Sequence, residues 1–89
     1  MDPRVRMVRA IGYYQVPKKF GMRAVSIKDF EFLVPIAKDP KGQLKLEERQ
    51  VILYYASLAY AEEGKAGAGE LKALCHKLDP ASKLGQLTK

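Results

Sequence analysis

Cys75 and His76 are the chain's single cysteine and single histidine, and they are neighbours. A thiol and an imidazole make a nucleophile–base pair only when their side chains converge. Adjacent residues on a helix point about 100° apart, so this pair does not converge. Leu71, Leu74 and Leu78 surround Cys75 at helical spacing. That assigns the thiol to an apolar face, where a free cysteine behaves as a small hydrophobe. His76 falls on the polar side with Lys72 and is expected in solvent. A zinc site takes more His and Cys ligands than these two, which leaves only carboxylates to complete one. No metal and no cofactor is expected.

The carboxylates come in two adjacent pairs, Glu47-Glu48 and Glu62-Glu63. The first suits the positive end of a helix dipole. The second sits where a helix would end, and the sequence gives no physical reason for it. Acid–base chemistry would need such pairs to converge in a cleft. Gly67-Ala68-Gly69 begins like a dinucleotide loop, but no third glycine follows in register and no strand precedes it. Asp39 to Gln50 has the length of a calcium loop, yet Lys41 and Gln50 stand where oxygen ligands belong. The residues encode no catalytic machinery, and the protein is read as a non-enzyme with no evident small-molecule substrate.

One constellation remains. Residues 1–25 carry Arg4, Arg6, Arg9, Lys18, Lys19 and Arg23 against Asp2 alone, a net of +5 out of +6 for the whole chain. Tyr13, Tyr14 and Phe20 are interleaved with these cations. Clustered Lys and Arg attract polyanions, and exposed rings stack on bases. The same charge could serve only as a solvated face.

Composition bounds the setting. At 89 residues the chain is a single domain, 1–89, with a basic N-terminal segment, 1–25. A hydrophobic share of 47% and a charged share of 29% are globular rather than disordered values. One cysteine permits no internal disulfide and fits a reducing compartment. Residues 1–4 lead into no apolar leader, and Val51 to Ala61 is too short to span a bilayer. A cytoplasmic protein without a membrane role is expected. Asparagine and tryptophan are absent while Lys and Glu are abundant, which leans towards a thermophilic source.

The elements that must position these residues read as helices. Asp-Pro occurs at 2–3, 39–40 and 79–80, each a helix start or a turn. From Pro3 to Tyr14, Val5, Val8 and Ile11 share one helical face, with the arginines pointing elsewhere. A hairpin through Tyr13 to Val16 is the alternative. Arg23 to Ser26 suggests a short extended stretch, followed by Ser26 and Asp29 as a capping box. Ile27, Phe30, Leu33, Val34 and Ala37 then form a helical face that Pro35 kinks or ends. Asp39 to Gly42 is a turn. Residues 46–63 form the central helix, almost wholly apolar between Val51 and Ala61, with Gly64 as its stop. Leu71 to Leu78 is a short helix, Leu84 and Leu87 cap the core, and residues 85–89 fray. The expected fold is an all-α bundle of three to five helices around 46–63.

Function follows from the two excesses, of charge and of apolar surface. A central helix this apolar asks to be covered on every side, which predicts a homodimer through residues 46–63. The basic segment predicts non-enzymatic nucleic-acid binding, DNA ahead of RNA. Arg4, Arg6, Arg9, Lys18, Lys19 and Arg23 would then contact phosphate, and Tyr13 and Tyr14 would stack. A ribbon-helix-helix would take Arg23 to Ile27 as its strand, and a helix-turn-helix would take 46–63 and 70–78. The rival is a small helical adaptor or oligomeric structural protein whose basic arm steers it to an acidic protein partner.

Overall fold

The computed structural model describes residues 2–17 and 20–89, so the predicted ligands Lys18 and Lys19 lie outside the described residues. Among the described residues the regular structure is five α-helices with no strand. The extended segment expected at 23–26 is absent, and with it the strand of a ribbon-helix-helix.

Helix α1 runs Pro3–Gln15. Asp2 starts it by accepting the Arg4 N–H at 2.8 Å, with Pro3 in the first turn where no N–H is needed. Tyr13 to Gln15 are helical, so the hairpin alternative falls. The helix is rotated from its expected setting. Val5 and Val8 are 57% and 68% exposed, while Ala10 is buried and Met7, Ile11 and Tyr14 pack on the core. The cause lies on α2, which runs Arg23–Lys38. Its Asp29 is buried and needs the guanidinium groups of Arg6 and Arg9. A buried carboxylate without partners costs about 3–5 kcal/mol. The two valines left in water forgo roughly 3 kcal/mol together, offset in part by the packing of Met7, Ala10 and Tyr14 on the core. The ion pair therefore sets the rotation.

Ser26 and Asp29 do not cap α2, which begins at Arg23. Both face α1: Ser26 Oγ donates to Ala10 O at 2.8 Å, a buried bond that brings the two backbones close. Phe30, Leu33, Val34 and Ala37 are buried as their spacing predicts. Pro35 does not end the helix, which continues to Lys38. Burial of Ala37 holds the last turn, and Arg49 donates to the carbonyls of Ala37 at 2.7 Å and Lys38 at 3.4 Å. The expected turn follows, closed by Gly42 N–H to Asp39 O at 3.2 Å.

Helix α3, Leu46–Glu62, is the centre of the bundle. Glu48 accepts the Lys45 N–H at 2.8 Å at its start, and Gly64 turns left-handed (φ 68°) at its end. Helices α4, Ala68–Leu78, and α5, Lys83–Leu87, complete the fold. All four other helices touch α3. Ile52, Leu53, Ala56 and Ala59 are fully enclosed with Phe30, Leu33 and Cys75. The apolar character of 46–63 that predicted a homodimer is thus covered in large part within one chain, while Tyr54, Leu58 and Ala61 stay partly open. Tyr54 and Tyr55 pack on the core and remain partly exposed.

The C-terminal segment is better fastened than expected. Gln50, buried in α3, donates to Cys75 O at 2.9 Å and Asp79 O at 3.1 Å and accepts from Ser82 Oγ at 2.8 Å. Ser82 caps α5 by accepting the Gly85 N–H at 3.0 Å. Gly85 lies against Asp79 and Thr88 is buried, so residues 85–88 do not fray. Leu84 packs on the core, but Leu87 is 55% exposed and does not cap it. No described helix is long and apolar enough to cross a membrane.

Candidate functional site

The described arginines of the predicted phosphate-binding set occupy three separate ion-pair clusters. Arg9 binds Asp29 with Nε at 2.8 Å and Nη2 at 2.7 Å, and Arg6 Nε joins at 3.3 Å. The Asp29 side chain is only 2% exposed. The bonds from Arg9, then those from Arg6, hold its carboxyl below the usual range against the opposing effect of burial. Arg6 also lies over the Phe32 ring at 4.0 Å, a cation–π contact. Arg4 donates to Glu48 Oε2 and to Gln43 O, both at 2.8 Å. The Lys45 N–H, and after it Arg4, depress the Glu48 pKa.

Arg23 forms the third cluster with Glu62 and Tyr14. Its Nη1 is 3.0 Å from Glu62 Oε2, and its guanidinium sits 4.5 Å from the centre of the Tyr14 ring. Tyr14 donates its hydroxyl to the same Glu62 oxygen at 2.5 Å. Burial first, then this bond, push the Tyr14 pKa up to about 12. Glu62 at the unfavourable end of α3 thereby gains a physical reason, as the point where α1 and α2 are fastened to α3. Tyr14 does not stand free for base stacking: its ring meets Tyr55 edge-on at 5.8 Å, and Tyr55 meets Tyr54 at 5.1 Å. Tyr13 is half-buried on α1.

Cys75 and His76 diverge as their adjacency predicts. Cys75 is buried with Sγ 3.5 Å from Gln50 O, and burial pushes its thiol pKa up. His76 is half-buried rather than exposed. Its Nδ1 lies 2.7 Å from Gly85 O, so that nitrogen donates and carries a proton. Among the described residues no cluster of three or more His, Cys, Asp or Glu could hold a metal.

One of the open concave features lies away from these clusters. An open groove of about 360 Å³ lies between α3, α4 and the end of α5. Tyr54, Leu58 and Ala61 line it from α3, Gly69 and Lys72 from α4, and Leu87 from α5. Ser57 and Thr88 contribute hydroxyls, but these donate to their own helices, to Tyr54 O at 2.6 Å and Leu84 O at 2.9 Å. Among the described lining residues, Lys72 carries the only charge. The Tyr54–Tyr55–Tyr14 ring series leads from the groove back to α1.

Compared with known proteins, this chain matches no family, no curated protein and no solved structure.

Sequence reasoning missed the groove. The signal present was the spacing of Tyr54, Leu58 and Ala61 on α3, with small residues facing them at 68–69. That spacing equally describes a core stripe.

Proposed function

We propose that this protein is a non-enzymatic helical interaction module that binds another protein in the groove between α3, α4 and α5. One observation carries the reading: a concave, predominantly apolar surface between three helices, with Lys72 the one charged side chain among its described lining residues. Interaction sites concentrate in such pockets, where apolar lining supplies affinity and few polar groups fix orientation.

The ion-pair clusters weigh against the nucleic-acid alternative. A phosphate contact that drew both Arg6 and Arg9 from Asp29 would strand a buried carboxylate. Arg4 and Arg23 would likewise leave Glu48 and Glu62. The described arginines of the N-terminal segment, Arg4, Arg6, Arg9 and Arg23, supply the cationic half of internal ion pairs.

Gly69 offers a clean blocking variant, because a Cβ at that position meets nothing within 4 Å. A random-peptide display library panned on immobilised wild-type protein is expected to enrich apolar motifs that fail to bind Gly69→Leu. No enrichment, or equal retention by Gly69→Leu, would overturn the reading. Gel shifts with labelled duplex DNA and single-stranded RNA form the second arm. Tight binding that weakens steeply with salt would return the assignment to nucleic acid.

A further inference from the structure

We infer that the groove's occupant is an acidic amphipathic α-helix of a partner protein, seated with two apolar side chains a turn apart on Leu58 and Leu87 and a carboxylate on Lys72. This inference rests on the interaction-module reading and names the partner's chemistry.

Length comes first. The α3 wall runs from Tyr54 through Leu58 to Ala61. Seven residues of helix rise about 10 Å, two turns. A helical ligand offers neighbouring anchors at i and i+3 or i+4 over such a distance. The floor suits a helix too. Ala61, Ala68 and Gly69 present little side chain, so a partner's backbone can approach closely.

Charge fixes the sign. The Ser57 and Thr88 hydroxyls already donate to backbone carbonyls, so among the described lining residues the Lys72 ammonium is the charged donor left for a partner, beside the neutral Tyr54 hydroxyl. The first turn of α4 lies at the same edge, and its N-cap Gly67 brings no side-chain acceptor. The positive end of that helix dipole adds to Lys72. Neighbouring Glu70 is engaged with Lys38 at 3.3 Å. An acidic residue beside the apolar anchors meets complementary charge there, and a basic one meets repulsion.

The test uses two fluorescent synthetic peptides of about 15 residues, long enough for partial helicity. Both carry leucines at i, i+4 and i+7; one is flanked by glutamates and the other by lysines. Wild-type protein is expected to bind the acidic peptide about tenfold or more tightly than the basic one at low salt. Lys72→Glu should erase or reverse that preference. Lys77→Glu, the same charge change on an exposed α4 position outside the groove, should leave it largely intact. Gly69→Leu should abolish binding of the acidic peptide. Three outcomes overturn the inference: equal binding of the two peptides, binding of neither, or equal losses from Lys72→Glu and Lys77→Glu. If it fails in any of these ways while library peptides still discriminate wild type from Gly69→Leu, the interaction-module reading stands and only the partner's chemistry is wrong.

Discussion

Arg9 grips Asp29 through both carboxylate oxygens, Nε on Oδ2 at 2.8 Å and Nη2 on Oδ1 at 2.7 Å, across the α1–α2 contact. The acid is buried and the base is at the rim, so the two partners are not equivalent. Removing the base leaves a charge inside the protein, whereas neutralising the acid leaves cations that water can reach. The double variant Arg6→Ala/Arg9→Ala is expected to lose about 3 kcal/mol through the stranded carboxylate. Asp29→Asn is expected to lose markedly less. Urea midpoints at neutral pH measure both, and equal losses would show that Asp29 is not the buried member of the cluster.

The same carboxylate, with Glu48, sets an acid limit. Both have pKa values below their unfolded ones, Asp29 first through Arg9 and Glu48 first through the Lys45 N–H. A depressed carboxylate binds its proton more readily in the unfolded chain. Its stabilisation is therefore complete above the unfolded values of about 4 and is lost as pH falls through the folded ones. Wild-type urea midpoints should hold from neutrality to about pH 5 and drop steeply below pH 4. In Asp29→Asn/Glu48→Gln that drop should be shallower, and an identical acid profile would remove both groups from the account.

How far the sequence specified this arrangement differs by residue. The helices were legible because their signals are local: Asp2-Pro3 at a start, Gly64 at a stop, Phe30 to Ala37 at period 3.6. The rotation of α1 was not. Val5, Val8 and Ile11 make a better apolar stripe than Met7, Ala10 and Tyr14, and periodicity cannot register a buried carboxylate twenty residues away. Ser26 and Asp29 have cap chemistry, yet that chemistry is spent on another helix. The +5 segment showed where cations are, but not that Glu48 and Glu62 would come to meet them. The groove was hidden for a related reason, since whether Leu58 is covered depends on how α4 and α5 pack beside α3.

Two helical glycines should respond oppositely to alanine. Gly12 is inside α1, on its exposed side, and an added Cβ meets nothing within 4 Å. Alanine there should raise stability by about 1 kcal/mol by restricting the unfolded chain and favouring the helix. Gly85 lies against the Asp79–Pro80 turn, where a Cβ would collide with Asp79 O and come within 2.9 Å of Pro80 C. Backbone atoms cannot step aside as a flexible side chain can. Gly85→Ala should cost about 3 kcal/mol as α5 is pushed off α3 and α4. Thermal midpoints of the two variants would check the pair, and a tolerated Gly85→Ala would contradict the close docking of α5.

Tyr14 sets an alkaline limit that ultraviolet titration can isolate. Its hydroxyl is partly buried and bonded to Glu62, and its pKa of about 12 follows from those two causes in that order. Ionising it would place two negative oxygens against each other, beside the Arg23 guanidinium. The folded state therefore keeps this proton while an unfolded tyrosine, with a pKa of about 10, has released it. Stability must then fall as pH rises from about 10 towards 12, the reverse of the carboxylate case. Absorbance at the tyrosinate band should resolve a late-ionising group that disappears in Tyr14→Phe. The same variant should flatten the alkaline loss of stability, although it forfeits the Glu62 bond at neutral pH. A late group that persists in Tyr14→Phe would transfer the assignment to Tyr60, whose pKa is also raised by burial.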